Sequence, residues 1–372
     1  MQPMRILCAS AEYAPYVSTG GLGNAVAGLA HAVAVDHKVT VAVPGYRDAE
    51  TPGRKLAGRP WRRHRDGQVE VLFWLDGTFD RPGIYGPDSS SSYDDNWERF
   101  ARFSLAVSEL SADFDLVHLH DSHVGAVALK LSIPSVFTAH NASYPMIGPL
   151  GPAVDALGLG PKASVMGGDM EWFGEANFLK AGMVGATQAT TVSPGHAREL
   201  AVDETSFGLG GLVRGLFRPL LGVINGIDTD AWDPSSDPTL PKPFGSDDLG
   251  GRSASRRKLL RTYGLDPGFV LGNVGRMSGQ KGLGLVEYDL DALVEEGARF
   301  VFMGNGDLDP LVDSWVDRHP TAVTHVPFDP AASRLVFAGC DAYLMPSQYE
   351  PCGLGQIYAM QYGAPPIAHF TG

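Results

Sequence analysis

The chain has 372 residues, 44% hydrophobic and 19% charged, and at roughly 150 residues per domain that length suggests two domains. Its 29 Lys and Arg stand against 42 Asp and Glu, a formal net charge of −13 at pH 7, which excludes a general nucleic-acid binder because non-specific affinity for phosphate backbones needs basic surface. No apolar run is longer than a strand, so no membrane span is expected, and the composition excludes collagen, coiled coil and a disulfide mini-protein.

From the amino end, Met1 to Arg5 lead straight into Ile6-Leu7-Cys8-Ala9. That is not the charged and then long apolar pattern of a signal peptide, so a soluble, cytoplasmic protein is the expectation. Cys8, Cys340 and Cys352 are too few and too scattered for a disulfide framework or a zinc site. Apolar runs at 5–9, 38–43, 69–74, 116–119, 135–138 and 189–192 are rich in Val, Ile, Leu and Phe, as strands buried on both faces of a parallel sheet are. Helical stretches at 24–34, 95–110 and 124–131 lie between them. That alternation predicts a doubly wound α/β domain, with a Ser-rich loop at Ser89–Ser92. Residues 228–251 carry four prolines among Asp, Ser and Gly and read as a loop or linker. The pattern then restarts, with strands at 270–274, 299–303, 322–326, 342–345 and 366–368. Helices are expected at 253–263, 283–296, 308–318, 331–338 and 354–362. The expected domains are 1–222 and 223–372, two Rossmann-like units facing a cleft. In open α/β sheets ligands bind beyond the carboxyl ends of the strands, so the residues just after each strand carry the functional reading.

Ser18-Thr19-Gly20-Gly21-Leu22-Gly23-Asn24 follows the first strand and opens a helix. Its glycines allow close backbone approach, and a helix N-terminus offers free N–H groups to an anion. It is not G-x-G-x-x-G, which disfavours a dinucleotide cofactor. His118-Leu119-His120-Asp121-Ser122-His123 sits at a strand end, where structural or substrate-orienting roles outweigh a metal site. Thr138-Ala139-His140-Asn141 ends another strand, and His140 there can present either its imidazole or its carbonyl. Arg276 and Lys281, within Gly275–Gly282, fit a diphosphate, because Arg forks onto phosphate oxygens and Lys adds a point charge. Gly304-Asn305-Gly306-Asp307 leaves room for a base or ribose. Glu350, in Pro346–Leu354, can hydrogen-bond sugar hydroxyls, stand beside an oxocarbenium-like centre, or simply complement a helix N-terminus.

These blocks, with D-N-W-E-R-F at 95–100, N-F-L-K-A-G-M at 177–183, T-T-V-S-P at 190–194, V-I-N-G-I-D at 223–228 and E-P-C-G-L at 350–354, together resemble the bacterial glycogen synthases and plant starch synthases, glycosyltransferase family 5. The resemblance covers essentially the whole chain. It implies a GT-B fold and retaining transfer of glucose from ADP-glucose or UDP-glucose to the non-reducing end of an α-1,4-glucan, with no cofactor and no metal. By position it implies Arg276 and Lys281 on the diphosphate and Glu350 on the donor glucose. The His140 carbonyl would face the reacting carbon, with Asp121 near the transferred sugar. Ser18, Gly20, Gly21, Asn225, Gly304, Cys352, Gly353, Leu354 and Thr371 would lie around the donor. Two departures stand out. The family loop reads K-T-G-G-L-G-D, whereas here Ser18 and Asn24 replace its lysine and acid. The family also continues through T-G-G into further helices, whereas this chain ends at Thr371-Gly372, so the second domain is expected to be incomplete. A weakened homologue acting as sensor or scaffold is the alternative expectation. A glucose-1-phosphate acceptor and the choice between ADP and UDP stay open.

Overall fold

The computed structural model describes residues 2–88 and 91–372. Ser89 and Ser90 of the predicted Ser-rich loop lie outside the described residues. The chain divides into two compact units, Met1–Gly226 and Ile227–Gly372.

In the first unit the strands are β1 (Arg5–Ala9), β2 (Lys38–Pro44), β3 (Arg54–Lys55), β4 (Trp61–Asp66), β5 (Val69–Trp74), β6 (Leu116–His120), β7 (Ser135–Ala139), β8 (Ile147–Pro149), β9 (Glu171–Trp172), β10 (Glu175–Asn177), β11 (Gln188–Thr191) and β12 (Leu221–Gly222). Nine of them form one sheet in the order β12-β11-β7-β6-β1-β2-β5-β4-β3. Its centre is parallel: Arg5 to Ala9 pair with Lys38 to Ala42, and Ile6 to Ala9 pair with Leu116 to Leu119. All of β1 after Arg5 is buried, which is why those strands read as continuous apolar runs.

The far edge departs from the expected parallel pattern. β4 runs antiparallel to β5 and β3 antiparallel to β4. Their Arg-rich sequence gave no apolar run to read. The small antiparallel sheet β8-β10-β9 was also unforeseen, its strands being two or three residues long. Helix α1 (Gly21–Ala34) starts three residues before the predicted position, with extended Gly20 as its cap. Helix α2 spans Asn96–Leu110. The predicted helix at 124–131 is instead a 3-10 segment, Ser122–Lys130. Gly125 there presses so closely on the Phe178 carbonyl that a Cβ would lie 2.1 Å from its oxygen. Short helices α3 (Leu150–Ala156), α4 (Phe178–Gly185), α5 (Pro194–Glu199) and α6 (Gly210–Arg214) complete the unit.

The second unit holds β13 (Phe269–Val274), β14 (Ala298–Met303), β15 (Val323–Val326), β16 (Ala342–Met345) and β17 (Pro366–Ala368). They form a parallel sheet in the order β15-β14-β13-β16-β17. Its helices are α7 (Gly250–Thr262), α8 (Leu283–Glu295), α9 (Asp309–Arg318), α10 (Pro330–Gly339) and α11 (Leu354–Gln361). Proline-rich residues 228–251 pack onto this unit. Trp232 stacks on Tyr358 with ring centroids 3.8 Å apart, Asp237 accepts from Tyr362 and from Arg334, and Leu240 and Phe244 are buried. Cys8 and Cys340 are buried free thiols, and Cys352 is half-buried. Among the described residues no helix is long and apolar enough to cross a membrane.

Candidate active site

In the first unit the carboxyl ends of β1, β6 and β7 gather most of the expected residues. Glu12, three residues beyond β1 and buried, grips the Gly-rich loop. Its carboxylate accepts the Thr19 backbone N–H at 2.8 Å and the Thr19 hydroxyl at 3.0 Å, and it also accepts the Tyr85 hydroxyl at 2.7 Å. Ser18 is exposed and donates to the Gly20 carbonyl at 3.1 Å. Gly20 has nothing within 4 Å of where a Cβ would stand, so the start of α1 keeps open approach.

Asp121 is buried and holds a left-handed φ of 65°, uncommon for a residue with a side chain. One carboxylate oxygen accepts the N–H groups of His140 at 3.0 Å and Asn141 at 3.3 Å. Burial lifts its pKa to about 7, against the pull of those two N–H groups. The acid therefore clamps the turn after β7 to the end of β6. The His140 imidazole is committed: Nε2 lies 3.0 Å from Nδ1 of His120, so one ring donates and the other accepts. Burial holds His140 down to about 3 and keeps it neutral at pH 7. His118 bonds Thr138 through Nε2 at 2.7 Å and is lowered to about 4 by burial. Cys8, His118 and His120 bring one ligand-type atom each within 4.8 Å of one another, but burial pushes the Cys8 thiol up to about 12, and a thiolate is the form that binds metal. His123 stacks on Tyr85 and meets the edge of Phe100, each at 4.8 Å. Asn225 is half-buried just beyond β12, and no hydrogen bond to its side chain occurs among the described residues.

In the second unit the carboxyl ends of β13, β14, β16 and β17 do the same. Lys281 Nζ lies 2.6 Å from Glu350 Oε2, and Ser347 donates its hydroxyl to the same oxygen at 3.1 Å. Arg276 is exposed and donates to Gln280 Oε1 at 3.1 Å. Gln280 in turn donates to the Tyr349 carbonyl and accepts the Gln348 N–H, tying the cationic turn to the Glu350 loop. Gly282, with φ 69°, sits where a Cβ would fall 1.9 Å from the Pro346 carbonyl oxygen, so only glycine lets the two loops close. Gly304 is buried against Gly275, and its carbonyl accepts from His325 at 3.1 Å. Gly353 caps α11 with φ 78°, between half-buried Cys352 and Leu354. Half-buried Thr371 leads into Gly372, which folds back onto the Glu350 carbonyl. A pocket of about 50 Å³ opens beside Lys281, Glu350, Gly275 and Gly353.

Sequence reading missed Glu12, Tyr85, Gln280 and Ser347. Glu12 carried a legible signal, an acid just after the first strand. Tyr85 and Gln280 act through contacts 73 and 69 residues away, which no local pattern reports.

Residues 5–215 match the starch synthase catalytic domain family and residues 268–372 match glycosyl transferases group 1. The chain is 37% identical to the glycogen synthase of Myxococcus xanthus and 36% identical to that of Thermus thermophilus, in each case over 99% of this chain and 85% of the relative. The catalytic domain of starch synthase IV from Arabidopsis thaliana, solved with ADP and acarbose, superposes with a TM-score of 0.86 at 27% identity, over 100% of this chain and 83% of that one. A sucrose-phosphate synthase from Thermosynechococcus elongatus, 17% identical with a TM-score of 0.63 over 99% of this chain and 82% of that one, shares the fold. These likenesses bear out the expected α/β GT-B fold, and nothing in them supports a sensor or scaffold. The chain belongs to the glycogen synthase and starch synthase family of glycosyltransferases.

Proposed function

We propose that this chain transfers glucose, with retention at the anomeric carbon, from ADP-glucose or UDP-glucose to the non-reducing end of an α-1,4-glucan in the cytoplasm. The observation that carries the reading is the Lys281–Glu350 contact with exposed Arg276 on the adjoining turn, in a chain of this family. Arg276 and Lys281 take the diphosphate and stabilise the charge that develops on it as it leaves, in the manner of preorganised cations at a reacting centre. Glu350 holds hydroxyls of the donor glucose. The acceptor hydroxyl attacks on the face the nucleotide departs from. The new C–O bond forms as the bond to phosphate breaks, and the acceptor proton leaves with the phosphate oxygen. The His140 carbonyl faces the reacting carbon, and Asp121 holds that turn in place. Ser18, Gly20, Gly21, Asn225, Gly304, Cys352, Gly353, Leu354 and Thr371 surround the donor, which is a substrate; no cofactor takes part.

The test is incorporation of label from ADP-[14C]glucose and from UDP-[14C]glucose into a glycogen primer, with glucose-1-phosphate as a parallel acceptor. Label in polymer is the expected result, and the preferred donor is then read directly. Folded protein that incorporates no label and binds neither donor by calorimetry overturns the reading.

A further inference from the structure

The chain is acidic overall, yet from Arg54 to Arg65 six of twelve residues are Arg or Lys and none is Asp or Glu. The structure folds this run into β3 and β4. Charge on an edge strand is an ordinary guard against sheet-to-sheet pairing, and that accounts for Arg54 and Lys55 of β3. It does not account for β4, which is paired on both sides.

Alternation along β4 puts Trp61, Arg63 and Arg65 on one face. The register extends that face across the sheet. Arg65 is opposite Glu70, Glu70 is opposite Thr40, and Lys38, two residues before Thr40, is opposite Arg5. The face opens into a cavity of about 690 Å³, with Arg59 from the β3–β4 turn on its rim and Val39, Leu72 and Phe114 among its apolar lining. That volume lies inside the range of about 300–1,000 Å³ for small-molecule sites. Five Arg and Lys line it against two acids, Glu70 and Asp113. Glu70 is taken by Arg63 at 3.0 Å. Among the described residues Lys38, Arg59 and Arg65 have no ion-pair partner.

We propose that this cavity binds a small phosphomonoester, its dianion held by Arg59, Arg65 and Lys38 and its carbon skeleton lying over Leu72 and Phe114. Guanidinium groups fork onto phosphate oxygens, and an apolar floor with a few convergent polar groups is the usual form of a small-molecule site. The site is distinct from the transfer site. Arg5 and Lys38 open β1 and β2, whereas Glu12 and the Gly-rich loop follow the other end of β1. Five residues of strand separate the two ends by on the order of 15 Å. The inference does not depend on the donor or acceptor of the proposed reaction.

Calorimetry on the full chain with inorganic phosphate, glucose 6-phosphate and adenosine 5′-monophosphate tests it, the last two separating a sugar from a nucleoside source. Saturable binding of at least one phosphomonoester is expected, more than tenfold tighter than inorganic phosphate. That affinity should fall at least tenfold in Arg59→Ala/Arg65→Ala, fall with added salt, and persist in Lys281→Ala. Hydrogen exchange should show protection within residues 54–72 on ligand addition, a readout that needs no variant. No saturable binding by either phosphomonoester overturns the proposal. So does binding that survives Arg59→Ala/Arg65→Ala, and so does binding that is lost in Lys281→Ala.

Discussion

Lys281 Nζ stands 2.6 Å from Glu350 Oε2, 69 residues away in sequence. Both side chains are mostly buried, 21% and 14% exposed. Each therefore neutralises the other until a ligand brings its own charge. On the reading proposed above, a diphosphate would compete with the carboxylate for the lysine, and sugar hydroxyls would compete with the lysine for the carboxylate.

On the proposed reading Lys281→Ala removes a cation from the leaving group, and it leaves Glu350 with the Ser347 hydroxyl but without its cation. We expect kcat/KM for the nucleotide sugar to fall by about 100-fold or more, the loss typical of deleting one preorganised donor at a reacting centre. Glu350→Gln keeps a group that can accept from Ser347 but loses the charge, and should raise KM for the donor with a smaller change in folding stability. Steady-state kinetics with varied donor check both, and unchanged kcat/KM in Lys281→Ala would remove that residue from the reaction.

Ser18 is exposed and, among the described residues, its side chain bonds only within its own turn, so a longer side chain fits there. Ser18→Lys restores the family's residue and adds a charge beside the start of α1. The expected outcome is a gain in kcat/KM for the donor of about tenfold, equivalent to about 1.4 kcal/mol. A variant that folds and shows no gain means that the donor phosphates do not reach position 18.

Glu12 holds two groups of Thr19 and the hydroxyl of Tyr85 with one carboxylate. Glu12→Ala strands all three, and at about 1.5–3 kcal/mol for a hydrogen bond to a charged group it should lower unfolding stability by about 3 kcal/mol or more. Glu12→Gln should retain part of that stability. Urea titration reads the difference. Kinetics of Glu12→Gln then report whether loosening the Gly-rich loop also raises KM.

The buried imidazoles set a pH dependence. His118, His123 and His140 are held down to about 4, 3 and 3 by burial, and His120 is lowered by burial and its histidine neighbours. Their folded pKa values lie below the unfolded value near 6.5, so their contribution is full above pH 6.5 and is lost as pH falls toward 4 and 3. Asp121 acts in the opposite sense. Its raised value of about 7 means that acidification from pH 7 toward the unfolded carboxylate value relieves a buried charge. Four imidazoles outweigh one carboxyl, so stability should drop between pH 7 and pH 5 by about 2 kcal/mol or more, since a tenfold change in a group's proton affinity on folding is worth about 1.4 kcal/mol. Denaturant midpoints at the two pH values check the sign, and a higher midpoint at pH 5 contradicts it.

The parallel strands were legible where burial on both faces leaves an uninterrupted apolar run: β1, β5 and β16 fall where the sequence puts them, and β17 does as well although Ile367 and Ala368 are exposed. The β3–β4 hairpin was not, because Arg62, Arg63 and Arg65 hide its alternation. That Asp121, His140 and Glu350 follow strand ends was readable from position alone. What local patterns could not carry was pairing. That Lys281 meets Glu350, or that the imidazole of His140 is taken by His120, follows from strand order, which brings together residues 69 and 20 apart.

Trp232 on Tyr358, and Asp237 beneath Arg334 and Tyr362, give the stretch before residue 268 a role that its composition conceals. Neither family match reaches residues 216–267, so a fragment begun at residue 268 would look complete by homology. It would nevertheless expose the aromatic faces of Tyr358 and Phe337 and leave Arg334 without its acid. The compact unit begins at Ile227, and the proline-rich segment is the outer wall of that unit.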